Sequence, residues 1–300
     1  MIDTEIRSNT IKWKAKLLKT RFLSGQLTSL GALILAVFVG VGGASAQEYQ
    51  PLPQASYADL VSLADPAEIV LRAEIRKQAV VEPERSPGLR PGYVRLYIEA
   101  RTLTLISGSV PVGESLRYVV DMPLDERGKV PKVKKHEVLL FARVVPGRTG
   151  DIQLVGPSAQ LMWNADLESR LRPILTELAG PDSPPKITGI RDAISIGGNL
   201  VGESETQIFL STDADQPVSI SIIRRPGQRP LWGVSWSDII DQAAQPPRAQ
   251  SLKWYRLACS LPGRLPERAL LSSDRASKSR TRSDYAFVLS ELGECERLRN

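Results

Sequence analysis

Histidine and cysteine are scarce in this 300-residue chain, with one and two copies, and so is methionine, with three. A single histidine, His136, leaves no material for a zinc site built on several histidines, and it weakens any Ser-His-Asp triad. Two cysteines, Cys259 and Cys295, cannot build a four-thiolate metal centre. No Asn-x-Ser/Thr sequon occurs, which agrees with a bacterial origin. The familiar catalytic signatures are absent as well. The only Ser-x-x-Lys, Ser183 to Lys186, encloses two prolines where a helix would have to start, and no Lys-Thr-Gly accompanies it. Ser204 in GESET lacks the closing glycine of a nucleophile elbow. Asp213 and Asp215 resemble the opening of a calcium loop, but Pro217 stands at the third ligand position and Arg224 where the bidentate glutamate belongs. They are read as turn residues.

One long stretch without charge is present. Between Arg21 and Glu48 no ionisable residue interrupts the sequence, and Leu30 to Val41 is densely apolar. That length matches the core of a signal peptide, and it decays into Gly42, Gly43 and Ala44-Ser45-Ala46, small residues at the spacing a signal peptidase accepts. The segment before it is basic, with Arg7, Lys12, Lys14, Lys16, Lys19 and Arg21 against Asp3 and Glu5. The expectation is a leader over residues 1–46, cleaved after Ala46 to give a periplasmic or secreted protein. The alternative is an inner-membrane anchor formed by residues 22–46, and only in that case is membrane contact expected.

Export changes the meaning of the charge. The chain carries 39 basic and 33 acidic residues; six and two of these lie in residues 1–46, leaving 33 against 31. A nearly balanced domain lacks the basic face that marks nucleic-acid binding, so no nucleic acid is expected as a partner. Export also favours a disulfide between Cys259 and Cys295, since two thiols in an oxidising space ordinarily pair.

Proline and glycine divide what remains. AGPDSPPK, residues 179–186, denies the chain a regular ladder and sets an expected boundary between a domain over 47–180 and one over 181–300. Before it, β-branched runs recur at 68–75, 93–106, 115–120, 137–145 and 151–155, and Val94, Leu96 and Ile98 alternate with Arg95, Tyr97 and Glu99. This is the period of strands with one wet face. The fold class expected is β-rich α+β: a small antiparallel barrel or sandwich with flanking helices, followed by a smaller mixed α+β domain. Five strands and a helix also fit a barrel of the oligosaccharide/oligonucleotide-binding type, except that PLDERGKVPKVKKH between the third and fourth strands reads as a loop where that fold prefers a helix.

Ser56 with Asp59, and Asn164, are expected to cap helices; Pro173 is expected to kink or divide the second one. A hairpin is expected over 205–225, and a helix from Ser235 with Asp238 in the capping-box position. The run RASKSRTRSD, residues 275–284, alternates serine with charge and is expected to be an exposed, mobile connection within the disulfide loop.

The candidate site is correspondingly modest. Arg127, Lys129, Lys132, Lys134 and Lys135 concentrate positive charge in nine residues, a loop able to meet phosphate, anionic headgroups or an acidic polymer. No catalytic residue, metal or cofactor is assigned. Three functions fit: a non-enzymatic binding or interaction module of the cell envelope, whose partner is a protein or an anionic polymer; a carboxylate-dependent hydrolase; and a secreted enzyme inhibitor.

Overall fold

Why the chain folds as it does is clearest where strands are buried on both faces. In the computed structural model, which describes residues 55–237 and 244–299, β1 (Ile69–Val80) and β4 (Glu137–Val144) pair antiparallel at the centre of a six-stranded sheet. Ile69, Leu71, Ala73 and Ile75 of β1 and Val138, Leu140 and Ala142 of β4 point one way; Val70, Leu139 and Phe141 point the other, and all ten are buried. Such strands read as continuous apolar runs.

The remaining strands of the sheet are β2 (Tyr93–Gly108), β3 (Ser115–Pro123), β5 (Ile152–Leu154) and β6 (Gln160–Met162). The order is β3-β2-β1-β4-β5, with β6 also on β4. Three register shifts in β1 against β2 bend that long hairpin. The sheet curls far enough for its ends to meet: Arg117 of β3 and Asp151, just before β5, form a parallel bridge, and the Arg117 N–H donates to the Gly150 carbonyl at 2.8 Å. The curl encloses its own apolar interior, with Val94, Leu96 and Ile98 from β2 and Leu116, Tyr118 and Val120 from β3. This strand order, with one parallel bridge between β3 and the start of β5, makes a strongly curled sheet of the barrel-like kind expected from the sequence. The β3–β4 connection packs against the inside of the curl. Its Val133 is buried and, with Leu124 and Val130, packs into the barrel interior.

A second, four-stranded antiparallel sheet follows, built from β7 (Ile187–Gly197), β8 (Ser204–Thr212), β9 (Val218–Arg224) and β10 (Leu231–Ser235). The hairpin expected over 205–225 is β8–β9, with Ile208 opposite Ile220 and Leu210 opposite Val218. At its turn the Asp213 carboxylate accepts from the Lys186 N–H at 2.9 Å, tying the turn to the start of β7 instead of closing on its own backbone. Asp215 takes a positive φ of 53° there.

Helices lie around the two sheets. Ser56 caps α1 (Tyr57–Ala64) with the reciprocal capping box completed by Asp59. Asn164 caps α2 (Ala165–Ala179) through the Leu167 N–H. Pro173 does not divide α2, because both it and Ser169, whose carbonyl its missing N–H would have reached, are exposed and open to water. α3 (Leu252–Ala258) is capped by Ser251. The run 275–284 is not a mobile connection: it begins α4 (Arg275–Leu292), capped by Asp274. Ser277, Thr281 and Asp284 recur on one face of α4 and are buried beside Tyr285, Val288 and Leu292, each with a hydrogen-bonding partner. Ser277 and Asp284 are satisfied by the second sheet and Thr281 by the Ser277 carbonyl of its own helix, so the segment needs no apolar periodicity to order.

One apolar cluster joins α1, α2, the outer face of β4, the second sheet, α3 and α4, with Leu60, Phe141, Leu171, Ile208, Ile220, Leu257 and Val288 among its buried members. It spans the expected boundary at 179–186, where Pro184 presents its carbonyl to Arg256 and Lys186 pairs with Asp65 at 3.2 Å. Cys259, at the end of α3, and Cys295, past the end of α4, are joined in a disulfide with Cα atoms 5.1 Å apart. No helix among the described residues is long and apolar enough to cross a membrane. The expected leader over 1–46 and most of the expected helix beginning at Ser235, including Asp238, lie outside the described residues.

Candidate binding groove

The five basic residues singled out in the sequence sit on the loop from Leu124 to His136 that plugs the barrel. Their backbone is organised from below. The Asp125 carboxylate accepts from the N–H groups of Arg127 and Lys129 at 2.9 and 2.7 Å. Gln78 of β1 reaches across to bond the Pro131 carbonyl and the Val133 N–H at 2.9 and 2.7 Å. Lys135 turns the chain with φ at 70°, and its N–H donates to the Ile75 carbonyl. Arg127, Lys129, Lys132, Lys134 and Lys135 are all exposed, and none takes part in an ion pair among the described residues. They share a loop, and none of them lines the groove described next. His136 is exposed at its end, with its carbonyl accepting from the Ile75 N–H.

A concave feature lies elsewhere, at the seam of the barrel. Past the bridge at Arg117 and Asp151, β3 and β5 separate, and a groove of about 580 Å³ opens between them. Val119 and Asp121 of β3 form one wall, Gln153 and Leu154 of β5 the other, and Tyr97 from β2 lies behind.

Ladder parity shows what the walls present. Arg117, opposite Glu99, sends its N–H away from β2 to Gly150, so Glu99 and Arg117 form a non-hydrogen-bonded pair. Thr102 N–H donating to the Glu114 carbonyl gives the same phase. Two and four residues further, Val119 and Asp121 must therefore direct their own N–H and C=O groups into the seam. On the other wall, Val145 N–H donates to the Asp151 carbonyl and Val155 N–H to Phe141, so Ile152 and Leu154 are the non-bonded partners of Val144 and Ala142. Their main-chain groups face the seam as well. Beyond the bridge between Arg117 and Asp151, no ladder joins these two edges among the described residues.

Side chains complete the groove. Tyr97 is 37% and Val119 52% exposed, apolar surface at the mouth of the groove beside its charged side chains. Arg95 grips Asp121 through two nitrogens at 2.7 and 2.8 Å. Asp151 is shared between Arg117 at 2.7 Å and Arg148 at 4.0 Å. Three guanidinium groups therefore meet two carboxylates, and Arg148, 73% exposed at the mouth, is the most loosely held. Beneath, the Tyr118 hydroxyl donates to Gln160 at 2.7 Å, and burial pushes its phenol up so that it stays a neutral donor.

Among the described residues no group of three or more histidine, cysteine, aspartate or glutamate side chains converges as a metal site would require. Reasoning from sequence passed over Tyr97, Arg148 and Asp151. The alternation at 93–99 placed Tyr97 on a wet face; nothing local indicated that β3 and β5 would meet once and then part. No protein-family model matches the chain, and no curated protein resembles it in sequence.

Proposed function

We propose that this chain is a non-enzymatic binding module of the cell envelope, exported with its leader removed after Ala46, whose ligand seats in the groove between β3 and β5. The observation that carries this reading is the pair of unmade strand edges facing an open groove with Tyr97 and Val119 exposed inside it. Buried or confined main-chain groups seek partners, and a ligand supplies them. The disulfide is compatible with an oxidising compartment outside the cytoplasm. A carboxylate-dependent hydrolase fits less well, because Asp121 and Asp151, the acids that line the groove, are each already held by arginine.

The test uses residues 47–300 immobilised and exposed to a soluble envelope extract. A component retained by the natural protein and lost from the Tyr97→Asp, Val119→Asp double variant, folded by circular dichroism, supports the reading. Equal retention by both removes the groove as the binding site, and release of cleaved products favours the hydrolase.

A further inference from the structure

The groove is bounded by backbone, and this bears on what it takes. We propose that its ligand is a polypeptide: an extended segment of a partner protein that adds to the edge of β3 by main-chain hydrogen bonds and fills the open seam of the barrel. This rests on the reading of the groove as the binding site.

The spacing of the unmade groups is the first argument. Val119 and Asp121 each offer an N–H and a C=O toward the seam. Two residues of strand advance about 6.7 Å, so these groups repeat at the period at which an extended peptide presents its own donors and acceptors. Leu154, beyond the bridge, turns its main-chain groups to the same seam from the other wall. A glycan or a nucleic-acid backbone carries no alternating amide and carbonyl at that period. Strand addition of this kind draws affinity from the ladder and specificity from alternate side chains.

The second argument concerns those side chains. Along β3, Val120 faces the barrel interior and Val119 the solvent. A strand laid beside them turns every second side chain inward, toward Tyr118, Val120 and Ile152, where small apolar groups fit. The others face outward beside Val119 and Tyr97, within the field of Arg117 and Arg148. With three arginines against two aspartates at the groove, an acidic side chain at an outward position completes the charge pattern. The partner segment therefore alternates small apolar residues with polar ones and carries an aspartate or glutamate on its polar side.

The probe is a mixture of octapeptides blocked at both ends, alternating valine or alanine with threonine and carrying one aspartate at a threonine position. Binding to residues 47–300 is followed by fluorescence anisotropy and by amide hydrogen exchange. The expected results are slowed exchange at Val119 and Asp121, and a loss of affinity of about tenfold or more when alternate peptide nitrogens are methylated. The Val119→Pro variant loses a similar factor, because proline removes an N–H that points into the seam and leaves the β2 ladder intact. Arg148→Glu weakens the aspartate peptides about fivefold and strengthens their lysine counterparts.

Equal binding of methylated and unmethylated peptides overturns the proposal, and the methylated arm decides the matter even if Val119→Pro does not fold. If no peptide binds while a polysaccharide fraction of envelope extract is still retained through Tyr97 and Val119, strand addition is wrong and the binding module stands. If the natural protein retains neither, both fall.

Discussion

Arg224 of β9 and Asp284 of α4 form an ion pair in which the aspartate has no solvent exposure, while the Thr206 hydroxyl of β8 donates to its second carboxylate oxygen. A helix that looks solvated in sequence is thereby fastened to the inner face of the second sheet. Removing one member of a buried pair strands the other, which costs about 3–5 kcal/mol, whereas replacing both with apolar residues of similar volume restores much of the loss. Asp284→Ala is expected to lower the unfolding free energy by about 3 kcal/mol or more, and the Arg224→Met, Asp284→Leu double variant to be more stable than Asp284→Ala alone. Urea titration decides; a loss below about 1 kcal/mol for Asp284→Ala would show that the pair contributes little.

This contact also shows where local sequence reasoning stops. Alternation along 93–106 and the capping signals at Ser56 and Asn164 are carried by near neighbours, and they became β2, α1 and α2. The helical period of α4 is written in Ser277, Thr281 and Asp284, side chains that are buried only because Ser195, Thr206 and Arg224 wait on the sheet. Read without that sheet, the same residues describe a solvated tract. The groove was hidden for a related reason. Its walls are ordinary strands, and it exists because two segments about thirty residues apart meet at Arg117 and Asp151 and then separate. The basic loop was legible as charge, but Val133, buried in its middle, was not legible as the plug of a barrel.

The disulfide stabilises a different region from the one that composition suggests. Because α4 is ordered on its own contacts, the segment most dependent on the bond is the tail beyond it. There the Glu296 carbonyl accepts from Ser56, and the N–H groups of Leu298 and Arg299 reach the Asp59 carboxylate at 3.1 and 3.3 Å. The Cys259→Ala, Cys295→Ala variant is expected to lose about 2–4 kcal/mol and to gain protease cleavage first within 293–299. Peptide mapping checks it; first cuts inside α4 would mean that the bond holds the helix itself.

Acid sensitivity should be traceable to Asp65 at the end of α1. Burial alone would raise this carboxyl, but hydrogen bonds and charge from Arg256, followed by Lys186, outweigh it and hold the group below its ordinary value of 3.8. Arg256 grips both carboxylate oxygens at 2.8 and 3.0 Å. The unfolded chain therefore takes up this proton more readily than the folded one. The stabilisation is complete above the ordinary carboxylate range and is lost as pH falls through it toward the depressed folded value. Asp65→Asn should lose about 3 kcal/mol at pH 7 and show a shallower decline between pH 5 and pH 3. Urea titrations at pH 3, 4, 5 and 7 test this; an unchanged slope would place the acid sensitivity in other carboxylates.

The connection between the two sheets gives the last prediction. Within residues 180–185, rich in proline, glycine and polar groups, Pro181 and Asp182 are exposed and suited to cleavage. Yet the groups on either side are bound to more than each other. Phe141 and Leu171 from before the connection share one buried cluster with Ile208, Ile220 and Leu257 from after it. Asp65 on the first side is bonded to Arg256 and Lys186 on the second. Ser56 and Asp59 hold the tail. A single cut removes one covalent link and leaves this apolar contact and these ion pairs in place, so separation would require exposing the cluster to water. With a protease site inserted after Asp182 and cleaved, the fragments should remain associated under native mass spectrometry and part only in denaturant. Separation on cleavage, with each fragment keeping its circular dichroism, would instead establish residues 47–180 and 181–300 as independent folding units.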